Sequence, residues 1–365
     1  MLTGKKILIR ADASLLIGTG HVMRCLTLAD QLKKRGAECY FATRLHDGHL
    51  QDKILERGHL CLPLKKPHDR KAKTASYADW LGCTQLQDAH EVLSLLNDLN
   101  IDLCVVDHYG LASDWESYLK EKVGKIIVID DLANRIHQCD ILIDQNAGRT
   151  IEDYKALAPE SCRFLLGAEY ALLRDEFSAL RDSSLNRKKN NELKSITISM
   201  GGIDAANATE DVLKALRKSK LPDSCCINVV VGSNFPWMDE INKSIENYPW
   251  KTTLLIDTRE MGKILSETDL AIGAAGSSAW ERCALGVPSV MIVVAENQKV
   301  IAESLEKLNA AWIINSQQDI LALLPEYISN FVNDAELLST MSSNSSLVTD
   351  GQGAARIAYL MENLI

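Results

Sequence analysis

The chain has 365 residues, 46% hydrophobic and 24% charged, which matches an ordinary folded protein and excludes disordered and fibrous classes. A formal net charge of −9 is the wrong sign for a protein whose main partner is a polyanion, so nucleic acid is excluded as that partner. No stretch approaches the roughly 20 apolar residues that cross a bilayer, and the N-terminal MLTGKKILIRADA has only a short apolar run, so a cytoplasmic protein without a transmembrane segment is expected.

Short β-branched runs alternate with amphipathic helical segments, the pattern of parallel α/β architecture. In the first half, strands are predicted near residues 6–10, 38–43, 101–107, 125–130 and 140–144. After the first of them, KILIR, the loop ADASLLIGTGH leads into a helix whose Val22, Leu26, Ala29 and Leu32 recur at helical spacing until Gly36 stops it. Gly18 and Gly20 flank a tight loop that delivers His21 to the helix N-terminus, where the dipole favours an anion and disfavours a protonated imidazole. A neutral imidazole there can act as a general base, and simple helix capping is the other reading of His21. Met23 stands where a dinucleotide fingerprint needs its third glycine, so a nicotinamide cofactor is disfavoured.

Two features along this half read as non-catalytic. The HDGH stretch, with His46, Asp47 and His49, and His59 nearby, lacks the helical spacing of a metal site. The basic run Lys65, Lys66, Arg70, Lys71 and Lys73 reads as a solvated insertion loop, with contact to an anionic membrane as the alternative. The ten cysteines sit mostly in apolar runs without a CxxC pair, as reduced buried thiols do.

Asp107, His108, Tyr109 and Gly110 directly follow the strand IDLCVVD, and Asp130 and Asp131 follow the next. Acidic and aromatic residues at strand ends suit the hydroxyl and amide groups of a sugar, although an Asp there can also be a helix N-cap. Residues 181–194 hold only two apolar side chains in fourteen and are expected to link an N-terminal domain, 1–180, to a C-terminal one, 195–350. In the latter, strands are predicted at 194–200, 226–232, 252–256, 269–273 and 288–294, followed by a terminal helix within 351–365. Two such domains are expected to turn the carboxyl ends of their sheets toward a common cleft that holds the substrate.

SMGGID places Gly201 and Gly202 between a strand and a helix, a plausible phosphate approach. In GAAGSSAWERCALGVP, Gly273 and Gly276 bracket a turn, Ser277 and Ser278 open a helix, and Glu281 follows one turn in. Amides and hydroxyls there can hold a diphosphate, and Glu281 can accept from two ribose hydroxyls; a capping box between Ser278 and Glu281 is the alternative. Asn297 and Gln298 offer amides to a phosphate or a sugar acetamide, with capping again the alternative for Asn297.

Taken in order, GTGHVMRCLTLA, VVDHYG, CDILIDQN, GAEYALLRDEF, SMGGID, GAAGSSAWERCALGVP and AENQ resemble the UDP-2,4-diacetamido-2,4,6-trideoxy-β-L-altropyranose hydrolases of pseudaminic acid biosynthesis, along nearly the whole chain. The resemblance implies a GT-B-like fold of two Rossmann-like α/β domains facing a central cleft, with UDP held mainly by the C-terminal one. It implies water attack at the anomeric carbon with inversion, His21 as the catalytic residue, and Tyr109 and Asn297 lining the sugar site. On these grounds Gly20, Asp107, His108, Tyr109 and Asn297 are expected on the sugar side, and Gly201, Gly202, Gly276, Ser277, Ser278, Glu281 and Gln298 on the UDP side. The substrate expected is a small UDP-sugar, with no metal or cofactor. A glycosyltransferase on the same fold and a non-catalytic UDP-sugar binding protein are the competing readings.

Overall fold

The computed structural model describes residues 1–66, 76–96, 99–189 and 192–365. Arg70, Lys71 and Lys73 of the basic run lie outside the described residues, while Lys66 is exposed and paired with Asp47 at 2.6 Å.

The chain divides into two compact units, Met1–Leu172 with Gln352–Ile365, and Leu173–Gly351. The first carries seven strands: β1 (Lys6–Ala11), β2 (Glu38–Arg44), β3 (Leu60–Leu64), β4 (Ile101–Asp107), β5 (Val123–Ile129), β6 (Ile141–Asp144) and β7 (Arg163–Leu166). They form one sheet in the order β3-β2-β1-β4-β5-β6-β7, and every pairing is parallel. The central strands are near-continuous apolar runs, as strands covered by helices on both faces must be. One face packs Ile7, Ile9, Leu103, Val105 and Ile127 on the helix Gly20–Lys34; the other packs Leu8, Cys104, Val106 and Ile126 with Val92 and Trp115.

The terminal helix, Gly353–Glu362, returns to this first unit. It buries Ala354, Ile357, Ala358 and Met361 in the core beside the helix Gly20–Lys34. Its edge is held by Arg35 Nη1, which donates to Glu362 Oε2 at 2.9 Å.

The second unit holds β8 (Ser195–Ser199), β9 (Cys226–Val231), β10 (Lys251–Ile256), β11 (Leu270–Ala274), β12 (Ser289–Ile292) and β13 (Ala311–Ile314). Their order is β10-β9-β8-β11-β12-β13, again all parallel.

The polar stretch expected as a linker behaves otherwise. Its first part belongs to a helix, Asp175–Arg187, within the second unit. Polar side chains serve this helix because they bond to the carbonyl ends of its neighbours. Arg181 donates to the carbonyls of Ala284, Thr349 and Ser346 at 2.5, 3.0 and 2.6 Å, and Ser184 Oγ to that of Leu285 at 2.7 Å. Such anchoring satisfies helix-end acceptors without an apolar stripe, so composition alone misreads it. No helix among the described residues is long and apolar enough to cross a membrane.

Candidate active site

In the first sheet the strand order reverses between β1 and β4, whose ends lie side by side with Ala11 paired to Asp107. A crevice outside the carboxyl ends of the strands at such a reversal is where open α/β sheets bind ligands. The loop after β1 is closed by reciprocal backbone bonds between Ser14 and Gly18, and Gly18 takes φ +80°, a value glycine adopts without steric cost. The helix then starts at Gly20, with Thr19 at its N-cap, and His21 is its second residue rather than its cap.

His21 Nδ1 lies 2.6 Å from Asp107 Oδ1. Asp107 is fully buried and accepts in addition from Arg24 Nε and Nη2, both at 2.6 Å, and from Cys25 Sγ at 3.4 Å. Burial alone would raise its carboxyl, but Arg24 and His21 hold it well below the usual carboxylate range. An ionised carboxylate only accepts, so Nδ1 carries a ring proton, and in the neutral tautomer this selects, the lone pair is on Nε2. That is the arrangement of a general base oriented by an acid.

Asp107 is therefore not available to a sugar: its oxygens are taken by His21 and Arg24. The same correction applies to His108, which is 3% exposed. Its Nδ1 accepts the Gly110 N–H at 2.9 Å and its Nε2 faces Asp12 Oδ2 at 3.3 Å. Tyr109 sets its ring edge-on to His21, 4.6 Å between centroids, and donates its hydroxyl to Asp131 Oδ2 at 2.9 Å. Burial and the adjacent Asp131 push the Tyr109 hydroxyl well up, which keeps it a donor. Of the acidic pair, Asp131 joins this group through Arg24 Nη1 at 2.6 Å, whereas Asp130 is buried against Arg135 and Tyr154.

Beneath these residues lies an ionic layer. Arg10, fully buried on β1, makes two-pronged contacts with Asp12 (2.5 and 2.9 Å) and with Asp88 (3.0 and 2.8 Å), and Asp88 also accepts from Arg44 at 2.6 Å and Trp115 Nε1 at 2.9 Å. His46 Nε2 points to Asp12 at 3.6 Å, whereas His59 Nε2 meets Asp30 at 2.8 Å, so these two histidines of the HDGH region serve different carboxylates. Asp88→Ala leaves two buried guanidinium groups short of a partner and should cost about 3–5 kcal/mol, read as a lower urea midpoint.

In the second unit the order reverses between β8 and β11, and the glycine loops follow these two strands. Gly201 and Gly202 are exposed after β8. After β11, Gly276 and the exposed Ser277 precede the helix Ser278–Ala284, which has no side-chain cap, so the Ser278–Glu281 capping box does not form. Ser278 Oγ instead accepts from Arg282 at 3.4 Å, and Glu281 stands 3.8 Å from Arg174, which pairs with Glu176 at 2.8 Å. Burial pushes the Glu281 carboxyl up to about 7 against the pull of Arg174 and Arg282. Gln298 lies beside Gly276 and accepts the Val294 N–H at 3.1 Å; Asn297 is exposed in the turn Glu296–Gln298 rather than at a helix cap.

Residues 197–358 match the glycosyltransferase family 28 C-terminal domain. The architecture is GT-B. A crystal structure of MurG from Acinetobacter baumannii superposes with a TM-score of 0.70 at 17% identity, over 98% of this chain and 99% of that one. The chain is 29% identical to the UDP-2,4-diacetamido-2,4,6-trideoxy-β-L-altropyranose hydrolase of Campylobacter jejuni, over 83% of its own length and 96% of the relative's. It is 28% identical, over 80% of its length, to an uncharacterized protein of Methanocaldococcus jannaschii, of which it spans 57%.

Each unit also places at its own candidate site residues that sequence reasoning missed. Arg24 sits one turn beyond His21 on the same helix face, and that three-residue spacing was its signal. Arg174 lies within GAEYALLRDEF but was given no role there, because its approach to Glu281 joins segments more than a hundred positions apart. Tyr77 and Trp80 carried no periodicity that would mark them.

Proposed function

We propose that this protein hydrolyses UDP-2,4-diacetamido-2,4,6-trideoxy-β-L-altropyranose to UDP and the free sugar, a step of pseudaminic acid biosynthesis in the cytoplasm. The observation that carries the proposal is the His21–Asp107 pair, which leaves His21 Nε2 as a base. In the reaction a water oxygen bonds to C1 while the C1–O bond to the diphosphate breaks. Its electron pair leaves on UDP, and the water proton passes to His21 Nε2, so the sugar is released with inversion. Gly201, Gly202, Gly276, Ser277 and Ser278 would approach the diphosphate, and Glu281 would accept from the ribose hydroxyls. Gly20, Tyr109 and Asn297 would meet the sugar, and Gln298 the nucleotide side. Support comes from the relative of that activity at 29% identity and from the family 28 domain.

The family 28 domain and the MurG fold equally favour a transferase that passes the sugar to an acceptor instead of water. Proton NMR of the purified protein with the UDP-sugar alone separates the two. Hydrolysis predicts early appearance of the inverted anomeric signal of the free sugar together with UDP. An unchanged substrate without an acceptor, consumed once a sugar-accepting lipid or saccharide is added, would replace the hydrolase by the transferase.

A further inference from the structure

The short turn Tyr77–Leu81 belongs to none of the motifs used above, yet it covers His21. Leu81 plugs it into the core at 1% exposure, and the Gly82 N–H closes it on the Asp79 carbonyl at 3.1 Å. Its first residue rests on the loop after β4: a Cβ on Gly110 would come within 2.9 Å of the Tyr77 carbonyl, so only glycine permits this approach. The turn is thus fixed at both ends against the core and against the His21 neighbourhood.

Its two aromatic side chains stay partly exposed and pack on the buried ring of Tyr109. Trp80 stacks on Tyr109 at 5.7 Å with 27° between planes; Tyr77 meets Trp80 at 4.8 Å and Tyr109 at 5.1 Å, both edge-on. Trp80 lies 6.4 Å from the His21 ring. Arg135 stands 5.8 Å from the Tyr109 ring centre, which helps to lock that ring. Packing among these rings alone would not leave two of them half open beside a base.

An aromatic face is apolar with a negative quadrupole, and it attracts polarised C–H groups. A pyranose offers such a face, and loss of its C6 hydroxyl extends it by a methyl group. A base that activates water for attack at C1 must stand within hydrogen-bond reach of that water. Whatever lies one ring width from His21 is therefore the sugar rather than the uracil. We propose that the partly exposed Tyr77 and Trp80, backed by the buried Tyr109, form a platform for the C–H face of the sugar, with Trp80 as its main contact. The proposal rests on the UDP-sugar reading given above.

The test uses His21→Asn protein, which holds the substrate without consuming it, and titrates UDP and UDP-2,4-diacetamido-2,4,6-trideoxy-β-L-altropyranose by calorimetry. Adding Trp80→Ala should weaken the UDP-sugar roughly 3- to 10-fold and leave UDP within about twofold, while Trp80→Phe should keep most of the affinity. Tryptophan fluorescence should change on adding the UDP-sugar, and this change should shrink with Trp80→Phe. Unchanged UDP-sugar affinity in Trp80→Ala overturns the platform, and so does an equal loss for UDP and UDP-sugar. A His21→Asn protein that binds UDP but not the UDP-sugar overturns the substrate reading, and the platform falls with it.

Discussion

Asp107→Asn is expected to lower turnover of the UDP-sugar by roughly 10²- to 10⁴-fold, close to the loss from His21→Asn, while leaving UDP affinity intact. The size follows from the ring proton. With a carboxylate at 2.6 Å, Nδ1 must carry the hydrogen, which makes Nε2 the accepting nitrogen of the neutral ring. An Asn amide can present its NH₂ instead, which accommodates the tautomer with the proton on Nε2 and removes the base. Arg24 loses a charged partner in the same variant but keeps Asp131 at 2.6 Å, so the local fold should persist. Steady-state kinetics with calorimetry of UDP read both halves. The double variant His21→Asn/Asp107→Asn should be little worse than either single one, because residues that act as a unit are not additive. Turnover in Asp107→Asn within about threefold of the parent would remove the dyad from the mechanism.

What could be read in the chain, and what could not, divides along physical lines. The central strands were all visible, because a strand buried on both faces needs an unbroken apolar run. The strands that escaped are β3, β7 and β13, and each is an edge of its sheet. β3 is only partly buried and holds Pro63, and the other two have four residues each. An edge strand pairs on one side only and can be short, so its sequence carries little signal.

The site shows the same division between local and non-local information. Loop chemistry at strand ends singled out His21, Asp107, Tyr109 and Glu281. The role of Asp107 depended on the pairing of β1 with β4, which brings residues 86 positions apart to 2.6 Å and turns an expected sugar ligand into the partner of His21. The destination of the terminal helix was equally hidden, since its apolar stripe fits any complementary surface.

Glu281 yields the second large effect, with opposite signs on stability and on binding. Its side chain is 22% exposed, and burial lifts its carboxyl to about 7 from the 4.5 of a free glutamate, with Glu176 adding to the rise and Arg174 and Arg282 opposing it. Between those two values the folded state holds a proton that the unfolded chain releases, so stability falls as pH rises through this window and the full cost is present above it. At most roughly 3 kcal/mol is involved. Glu281→Gln, neutral at every pH, should therefore raise stability by about 1–3 kcal/mol at pH 8 and by much less at pH 5, measured by urea unfolding at the two values. Binding should move the other way. A carboxylate accepts from two ribose hydroxyls, so uridine, which has no titrating phosphate, should bind up to about tenfold more tightly at pH 8 than at pH 6. Glu281→Gln should weaken uridine at pH 8 and flatten that pH dependence. Uridine binding that is independent of pH, and equal in the parent and the variant, would place the ribose away from Glu281 and leave its raised carboxyl a purely structural cost.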